Sequence, residues 1–258
     1  MSTDDVILHA EGVSKRFQNF VALNDVSVRF PRGRLTAVIG PNGAGKSTFF
    51  NVISGAFPPS EGRIVYDGAD ITGQPQHRFA HIGIAKSFQI TNVFPRLSAR
   101  ENARIAVQAM RTRYQMFRRR EAMTELIDEA DELLRTVHLL QHAKRPVETL
   151  AHGQQRALEI AIALACRPRL LLLDEPTAGM SPEETREMME LIVRLAEERT
   201  VVLVEHKMKL VMGISDHLVV LHQGQVLAEG APHDIRANDE VKRVYLGRER
   251  ARAANREA

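Results

Sequence analysis

A glycine-rich stretch near the N-terminus sets the fold class of this chain. It has the spacing G-x-x-x-x-G-K-[ST] and consists of Gly40, Pro41, Asn42, Gly43, Ala44, Gly45, Lys46, Ser47 and Thr48. An apolar run at 35–39 precedes it and a helical pattern at 46–55 follows it. The order strand, glycine loop, helix predicts an α/β fold whose loop N–H groups and helix N-terminus bind phosphate.

Residues of this loop have separate predicted roles in holding a nucleoside triphosphate. Gly43 and Gly45 let the backbone approach the ligand without an intervening Cβ. Lys46 is expected to reach the outer phosphates, and the hydroxyl of Ser47 to bind Mg²⁺. The alternative is a glycine turn beside a solvated lysine. The flanking strand and helix favour the nucleotide site.

Two carboxylates follow a second predicted strand. Four consecutive leucines at 170–173 are typical of a strand covered on both faces in a parallel sheet. Asp174 and Glu175 come at its carboxyl end, where ligands bind in such sheets. We expect Asp174 to hold Mg²⁺ through water and Glu175 to orient or deprotonate the attacking water. The alternative roles are a helix cap or a surface loop.

Three further side chains are candidates for the same site. Phe17 can stack on a nucleotide base, although a core phenylalanine fits the pattern as well. Gln89 ends a predicted strand and can touch a metal ion or a water molecule, a signal of little weight in isolation. His206 follows the apolar strand at 200–204, and a lone histidine is more often structural.

Composition and charge limit the class of protein. The chain has 258 residues, 44% apolar and 26% charged, as in ordinary globular proteins. A net charge of +3 does not require nucleic acid as a partner, and none is expected. A single cysteine, Cys166, excludes an internal disulfide and suits a reducing compartment. The acidic start is unlike a signal peptide and no apolar run approaches a membrane span, so we expect a cytosolic chain.

The residue pattern on the N-terminal side of the phosphate loop differs from the pattern that begins near residue 98. Alternating segments at 7–30 predict an antiparallel β region, whereas Ser98 and Glu101 predict the start of a glycine-free helical segment. The predicted division is a nucleotide-binding core with a β subdomain at 6–98 and 168–247, a helical subdomain at 99–167, and a frayed tail at 248–258. The basic stretch 111–120 is either a solvated helix face or a site for lipid head groups or acidic partners.

The order of these motifs resembles the ATP-binding cassette (ABC) family over residues 6–247. The resemblance implies one ABC ATPase domain with a P-loop NTPase (RecA-like) core, an antiparallel β subdomain and an inserted helical subdomain. It also implies ATP and Mg²⁺ as cofactors. The matching positions are the Walker A loop at 40–48, the adenine-stacking Phe17, the Q-loop Gln89 (a magnesium contact), the Walker B Asp174, the catalytic base Glu175 and the switch histidine His206.

The segment 150–154, Leu-Ala-His-Gly-Gln, matches the family's signature loop, which faces the ATP of a partner cassette. The common form is Leu-Ser-Gly-Gly-Gln, so Ala151 and His152 replace the serine and the first glycine, while Gly153 and Gln154 are retained. Loss of the serine hydroxyl leaves the Gly153 backbone and the helix end as donors. The usual D-loop aspartate is also missing from 178–181. We nevertheless expect hydrolysis to persist.

Several segments are similar to the ATP-binding subunit of bacterial high-affinity branched-chain amino acid importers. These are the helical insert and the stretches 178–182, 205–213 and 244–247. The resemblance implies a head-to-tail pair with a second, different cassette, a pair of membrane permease subunits, and a periplasmic binding protein that acts indirectly. It places the chain on the cytoplasmic face of the inner membrane, with 90–97 forming part of the permease dock.

Other protein classes remain open from the sequence. Related cassettes serve urea, short amides or lipopolysaccharide export. A soluble cassette ATPase of translation or DNA repair usually carries a fused second cassette, a zinc module or a coiled-coil arm, and the sequence has none of these. A P-loop GTPase would need an Asn-Lys-x-Asp loop, which is missing, and a kinase would not need a signature helix.

Overall fold

The structure is a computed structural model that describes residues 5–87, 93–111 and 121–245. Two compact units form, the first within 1–76 and 196–258 and the second within 77–195. The strands are β1 (Val6–Phe17), β2 (Phe20–Pro31), β3 (Leu35–Ile39), β4 (Glu61–Tyr66), β5 (Ala69–Asp70), β6 (Ile84–Ser87), β7 (Leu170–Asp174), β8 (Thr200–Val204), β9 (His217–His222) and β10 (Gln225–Gly230). The helices are α1 (Lys46–Ile53), α2 (Phe79–Ile82), α3 (Ala99–Arg111), α4 (Glu121–Thr136), α5 (His152–Leu164), α6 (Pro182–Ala196), α7 (Met208–Val211) and α8 (Pro232–Ala237).

The first unit contains an antiparallel sheet in the order β2-β1-β4-β5. The hairpin of β1 and β2 pairs Val6 with Pro31 at one end and Phe17 with Phe20 at the other. Leu8 and Ala10 are fully buried, while His9 and Glu11 next to them are partly exposed, which is the period of two expected of a strand covered on one face. The antiparallel β region predicted from the sequence is therefore present.

Parallel strands in the first unit position the phosphate loop. β3 lies between β8 and β9 and is parallel to both, with Leu35 opposite Val201 and Thr36 opposite His217. Every residue of β3 and of β8 is buried, which explains their continuous apolar sequence. Because parallel strands point the same way, the segments that follow β3 and β8 emerge at one edge of the sheet.

The second unit combines a short parallel strand pair with helices. β6 runs parallel to β7, with Ser87 opposite Leu173. The helix α3 begins at Ala99, and the hydroxyl of Ser98 accepts the N–H of Glu101 at 3.2 Å. The predicted capping box is only half formed, because the Glu101 carboxylate binds Arg104 instead. In the described parts of the chain, no helix is both long and apolar enough to cross a membrane.

Candidate functional site

The phosphate loop connects the end of β3 to the start of α1. Gly45 is the N-cap of α1 and has φ 96°. A Cβ at this position would lie 2.8 Å from the carbonyl oxygen of Ala22, so the close approach of the chain requires glycine. Gly43 has φ 80°, and a Cβ at this position would meet no atom within 4 Å. The tip of the loop is therefore open to a ligand.

The lysine of the loop is folded over the loop itself. Lys46 is buried, and its Nζ donates to the carbonyl oxygens of Gly40 at 2.9 Å and Pro41 at 3.0 Å. The neighbouring Ser47 is exposed on the first turn of α1. The loop therefore holds the ammonium group of Lys46 and, beside it, the exposed hydroxyl of Ser47. Phosphate binds the first of these groups and a hard cation binds the second.

The structure brings His206 to the same sheet edge as the phosphate loop. Val204 of β8 lies opposite Val38 of β3, and the N–H of Glu205 donates to the carbonyl of Val38 at 3.3 Å. Glu205 is fully buried, whereas the side chain of His206 is 43% exposed. A carboxyl oxygen of Glu205 accepts the N–H of His206 at 3.1 Å. The histidine thus sits on a strand end that is fixed against β3.

Phe17 lies at the end of the β1–β2 hairpin and is not a core residue. Its side chain is 41% exposed, and its ring packs edge-on against Phe57 with centroids 5.8 Å apart. The Nζ of Lys15 lies 5.2 Å from the centroid of Phe17 and donates to the carbonyl of Pro58 at 2.8 Å. The exposed ring is available for stacking. The adjacent sequence did not reveal Phe57, because that residue comes from the turn after α1.

The two predicted carboxylates end strand β7 in the second unit. Asp174 is buried, and Glu175 has φ 44°, a left-handed conformation that is rare for glutamate. Burial lowers the pKa of Lys86 on the neighbouring strand β6, and the charge of Asp174 counteracts this effect. Lys86 was not among the site residues predicted from the sequence, and its signal is a lysine directly after the apolar residues Ile84 and Ala85.

The signature segment forms the N-terminus of α5. Ala151 is the N-cap, and the side chain of Gln154 accepts the N–H of Ala151 at 3.1 Å. The N–H of Gly153, which we expected to be a free donor, donates to the carboxylate of Glu184 at 3.1 Å. Backbone hydrogen bonds from Ser181 and then from Gly153 lower the pKa of Glu184. The contact was not predictable because Glu184 lies in another helix.

Some predicted features lie outside the described residues. These are Gln89, the first part of the permease dock at 90–92, most of the basic stretch at 112–120, and the C-terminal residues 246–258. The site roles assigned from the sequence stay predictions.

Comparison with protein families finds two matches. The family described as "ABC transporter" matches residues 23–178, more than half of the chain. The chain belongs to the ABC transporter family. A second family, "Branched-chain amino acid ATP-binding cassette transporter", matches residues 225–251. Membership of the ABC family confirms the prediction of a transport-coupled ATPase that binds ATP.

Curated relatives of this ABC protein resemble it over nearly its whole length. The branched-chain amino acid transport ATP-binding protein BraF of Pseudomonas aeruginosa is 43% identical, covering 93% of this chain and 98% of the relative. The corresponding protein LivG of Escherichia coli is 40% identical with the same coverage. The resemblance to branched-chain amino acid transport subunits that the sequence predicted is confirmed.

Solved ABC cassettes have the same fold. The ADP conformation of the cassette MJ1267 has a TM-score of 0.82 and 28% identity, covering 94% of this chain and 99% of that one. The dimeric post-hydrolysis state of the cassette MJ0796, bound to ADP and Pi, has a TM-score of 0.74 and 27% identity, covering 88% and 99%. The predicted α/β fold with a P-loop core and an antiparallel β sheet is confirmed.

Proposed function

We propose that the chain is the ATP-hydrolysing subunit of a bacterial importer for branched-chain amino acids. The observation that carries this proposal is the 43% identity to BraF over 93% of the chain. The separate match of residues 225–251 to the branched-chain cassette family supports the same substrate class. Importers of urea or short amides and lipopolysaccharide exporters are the competing assignments, since the transported solute is read by other subunits.

The first unit would hold the nucleotide. The exposed ring of Phe17 stacks on adenine, and the phosphate loop with Lys46 binds the phosphates. His206 contacts the γ-phosphate from the strand end beside the loop. In this role Lys46 exchanges its bonds to the loop carbonyls for bonds to phosphate oxygens, so the ammonium is already in place before the nucleotide arrives.

The available oxygen ligands fit Mg²⁺. Ser47 offers an exposed hydroxyl and Asp174 a buried carboxylate, and Mg²⁺ prefers such hard donors. Gln89 would complete the set from a segment that the structure does not describe. Bound Mg²⁺ supplies charge neutralisation to the phosphate oxygens. Glu175 orients or deprotonates the attacking water.

Hydrolysis in this proposal needs a second cassette. The signature segment, with Ala151, His152, Gly153 and Gln154, faces the ATP bound by the partner in a head-to-tail pair. A paired arrangement is supported by the dimeric state of the related cassette MJ0796. We propose that the partner is a different chain. Without a serine hydroxyl, the backbone of Gly153 and the end of α5 supply the donors to the γ-phosphate.

Permease subunits would contact the turn that precedes α3 in the second unit. Phe94 and Leu97 are 54% and 39% exposed, so this turn presents two large apolar side chains to solvent. Asn102 fixes this turn, since its Oδ1 accepts the N–H of Phe94 at 2.7 Å. This surface would dock a pair of permease subunits at the cytoplasmic face of the inner membrane. A periplasmic binding protein would act indirectly, and no nucleic acid takes part.

Affinity capture tests the assembly. The Glu175→Gln variant is bound to ATP, captured from solubilised membranes, and the co-purified proteins are identified. We expect permease subunits together with a second, different cassette. Uptake of leucine, isoleucine, valine, urea and short amides by the assembled transporter then identifies the solute. A self-paired cassette with export-type membrane proteins would contradict the importer, and capture of ribosomes or DNA would contradict transport.

A further inference from the structure

One carboxylate connects the N-termini of two helices in the second unit. Glu184, the third residue of α6, accepts the N–H of Ser181 through Oε2 at 2.9 Å and donates its own N–H to the Ser181 hydroxyl at 3.2 Å. These bonds complete a capping box. Its other oxygen, Oε1, accepts the N–H of Gly153 in the first turn of α5 at 3.1 Å. Both helix N-termini favour a negative charge at this point.

The approach of Glu184 to α5 depends on the glycine. A Cβ at position 153 would lie 3.0 Å from Oε1 and 3.2 Å from Cγ of Glu184, closer than side chains normally pack. Gly153 and Glu184 both line an open groove of about 470 Å³. Solvent in this groove therefore reaches both residues.

We propose that Glu184 is an internal competitor of ATP for the signature segment. The inference rests on the proposed function, in which the N–H of Gly153 binds the γ-phosphate held by the partner cassette. In the structure the carboxylate of Glu184 accepts that N–H. The partner's γ-phosphate must displace it before the pair can close. Glu184 is thus a positioning residue that sets the ATP concentration needed for pairing.

Displacement of the Glu184 carboxylate from Gly153 would also affect the turn that follows Glu175, the candidate base. The same carboxylate caps Ser181, and the turn that leads to Ser181 starts at Glu175, whose carbonyl accepts the N–H of Ala178 at 3.0 Å. When the Glu184 carboxylate releases the N–H of Gly153, it keeps its bond to the N–H of Ser181 but loses its link to α5. Docking of the partner's ATP therefore changes the hydrogen bonds at the N-terminus of α6, on the segment that follows Glu175.

Pairing measurements test this competition. The Glu175→Gln chain is combined with its captured partner cassette, and pairing is followed by light scattering during an ATP titration. Adding Glu184→Gln removes the charge at constant size. We expect half-maximal pairing at about three- to fivefold lower ATP, the range that one half-exposed charge interaction produces. Adding Glu183→Gln, on the same turn and exposed, is the matched control and leaves the midpoint unchanged.

Two further measurements separate competition from a simple capping role. Glu184→Asp retains the charge and can still cap Ser181, but its shorter side chain withdraws from Gly153, so pairing also shifts to lower ATP. Amide hydrogen exchange at Gly153 in the nucleotide-free chain should be faster in both Glu184 variants. A carboxylate that only capped α6 would instead leave the pairing of Glu184→Asp unchanged and make Glu184→Gln require more ATP.

The outcomes distinguish this inference from the proposed function. Unchanged or weaker pairing in both Glu184 variants, with normal pairing of the Glu175→Gln parent, would overturn the competitor role alone. Failure of the parent to pair under any ATP concentration would overturn the proposed pairing and the competitor role together. Faster exchange at Gly153 without a shift in the pairing midpoint would also reject the competition.

Discussion

The ring of Phe57 stands edge-on to the ring of Phe17, with an interplanar angle of 84° and centroids 5.8 Å apart. Phe17 ends the hairpin and Phe57 lies in the turn after α1. The Nζ of Lys15 lies within 6 Å of both ring centroids and is itself fixed by the carbonyl of Pro58. The aromatic pair thus orients the exposed face of Phe17.

Replacing Phe57 should weaken ATP binding without slowing the chemical step. In Phe57→Ala the ring of Phe17 loses its edge contact, and aromatic pairs of this kind contribute about 0.5–1.5 kcal/mol. We expect the KM for ATP to rise about three- to tenfold while kcat stays within about twofold. Steady-state ATPase kinetics give both values. Val21→Ala, also exposed on the hairpin, is the control, and a lowered kcat at constant KM would contradict the orienting role.

Replacing Glu175 should separate ATP binding from hydrolysis. Glu175→Gln keeps the size of the side chain but cannot accept a proton from the attacking water. We expect ATP affinity to change less than threefold while kcat falls about a hundredfold or more, in the range of general-base catalysis. Binding of a fluorescent ATP analogue and single-turnover hydrolysis measure the two effects. Near-normal turnover would show that another group acts as the base.

Replacing Glu205 should act on turnover through His206. The buried carboxyl group of Glu205 accepts the N–H of His206 and lies 3.7 Å from its Nδ1. In Glu205→Gln the neutral amide binds His206 more weakly than the carboxyl group does. We expect kcat to fall about five- to tenfold at nearly constant KM. His206→Ala should lower kcat further, and the double variant should resemble His206→Ala. Additive losses in the double variant would mean that the two residues act independently.

The control for this experiment is Glu229→Gln. Glu229 is exposed on β10 in the same unit, so the substitution removes a carboxylate without touching the strand ends around the phosphate loop. Its kinetics should match those of the unchanged chain. A fall comparable to that of Glu205→Gln would indicate a general effect of charge on the assembly.

Cys166 should be nearly unreactive in the folded chain. Burial raises the pKa of the Cys166 thiol to about 11, and its Sγ–H donates to the carbonyl of Ala163. Because thiolates are the reactive form and an unfolded cysteine has a pKa of about 8.5, alkylation at pH 8 should be about a hundredfold slower in buffer than in urea. Equal rates in the two conditions would contradict the burial of this thiol.

The same thiol makes stability depend on alkaline pH. The folded chain favours the neutral thiol, so its contribution is complete below about pH 8.5 and is lost as pH rises towards 11. The free energy of unfolding in urea should therefore decline more steeply over this range in the unchanged chain than in Cys166→Ala. Parallel declines would assign the alkaline loss to other groups.

Local patterns predicted most of the fold. The apolar runs at 35–39 and 200–204 match the bounds of β3 and β8, because strands buried on both faces need continuous apolar sequence. The capping box at Ser181 and Glu184 is likewise a local feature, since its bonds stay within one helical turn. The phosphate loop was predictable for the same reason, as its glycines and lysine serve one short stretch of backbone.

What the sequence determined by itself was the set of local elements, the motifs that they carry and, through those motifs, the family. Which side chains meet across distant segments depended on tertiary packing. The sequence left Phe17 open between core and surface, and it indicated neither its contact with Phe57 nor the carboxylate of Glu184 on the N–H of Gly153. Such contacts join residues that are far apart in the chain, and their geometry depends on how elements pack rather than on the period of any one of them.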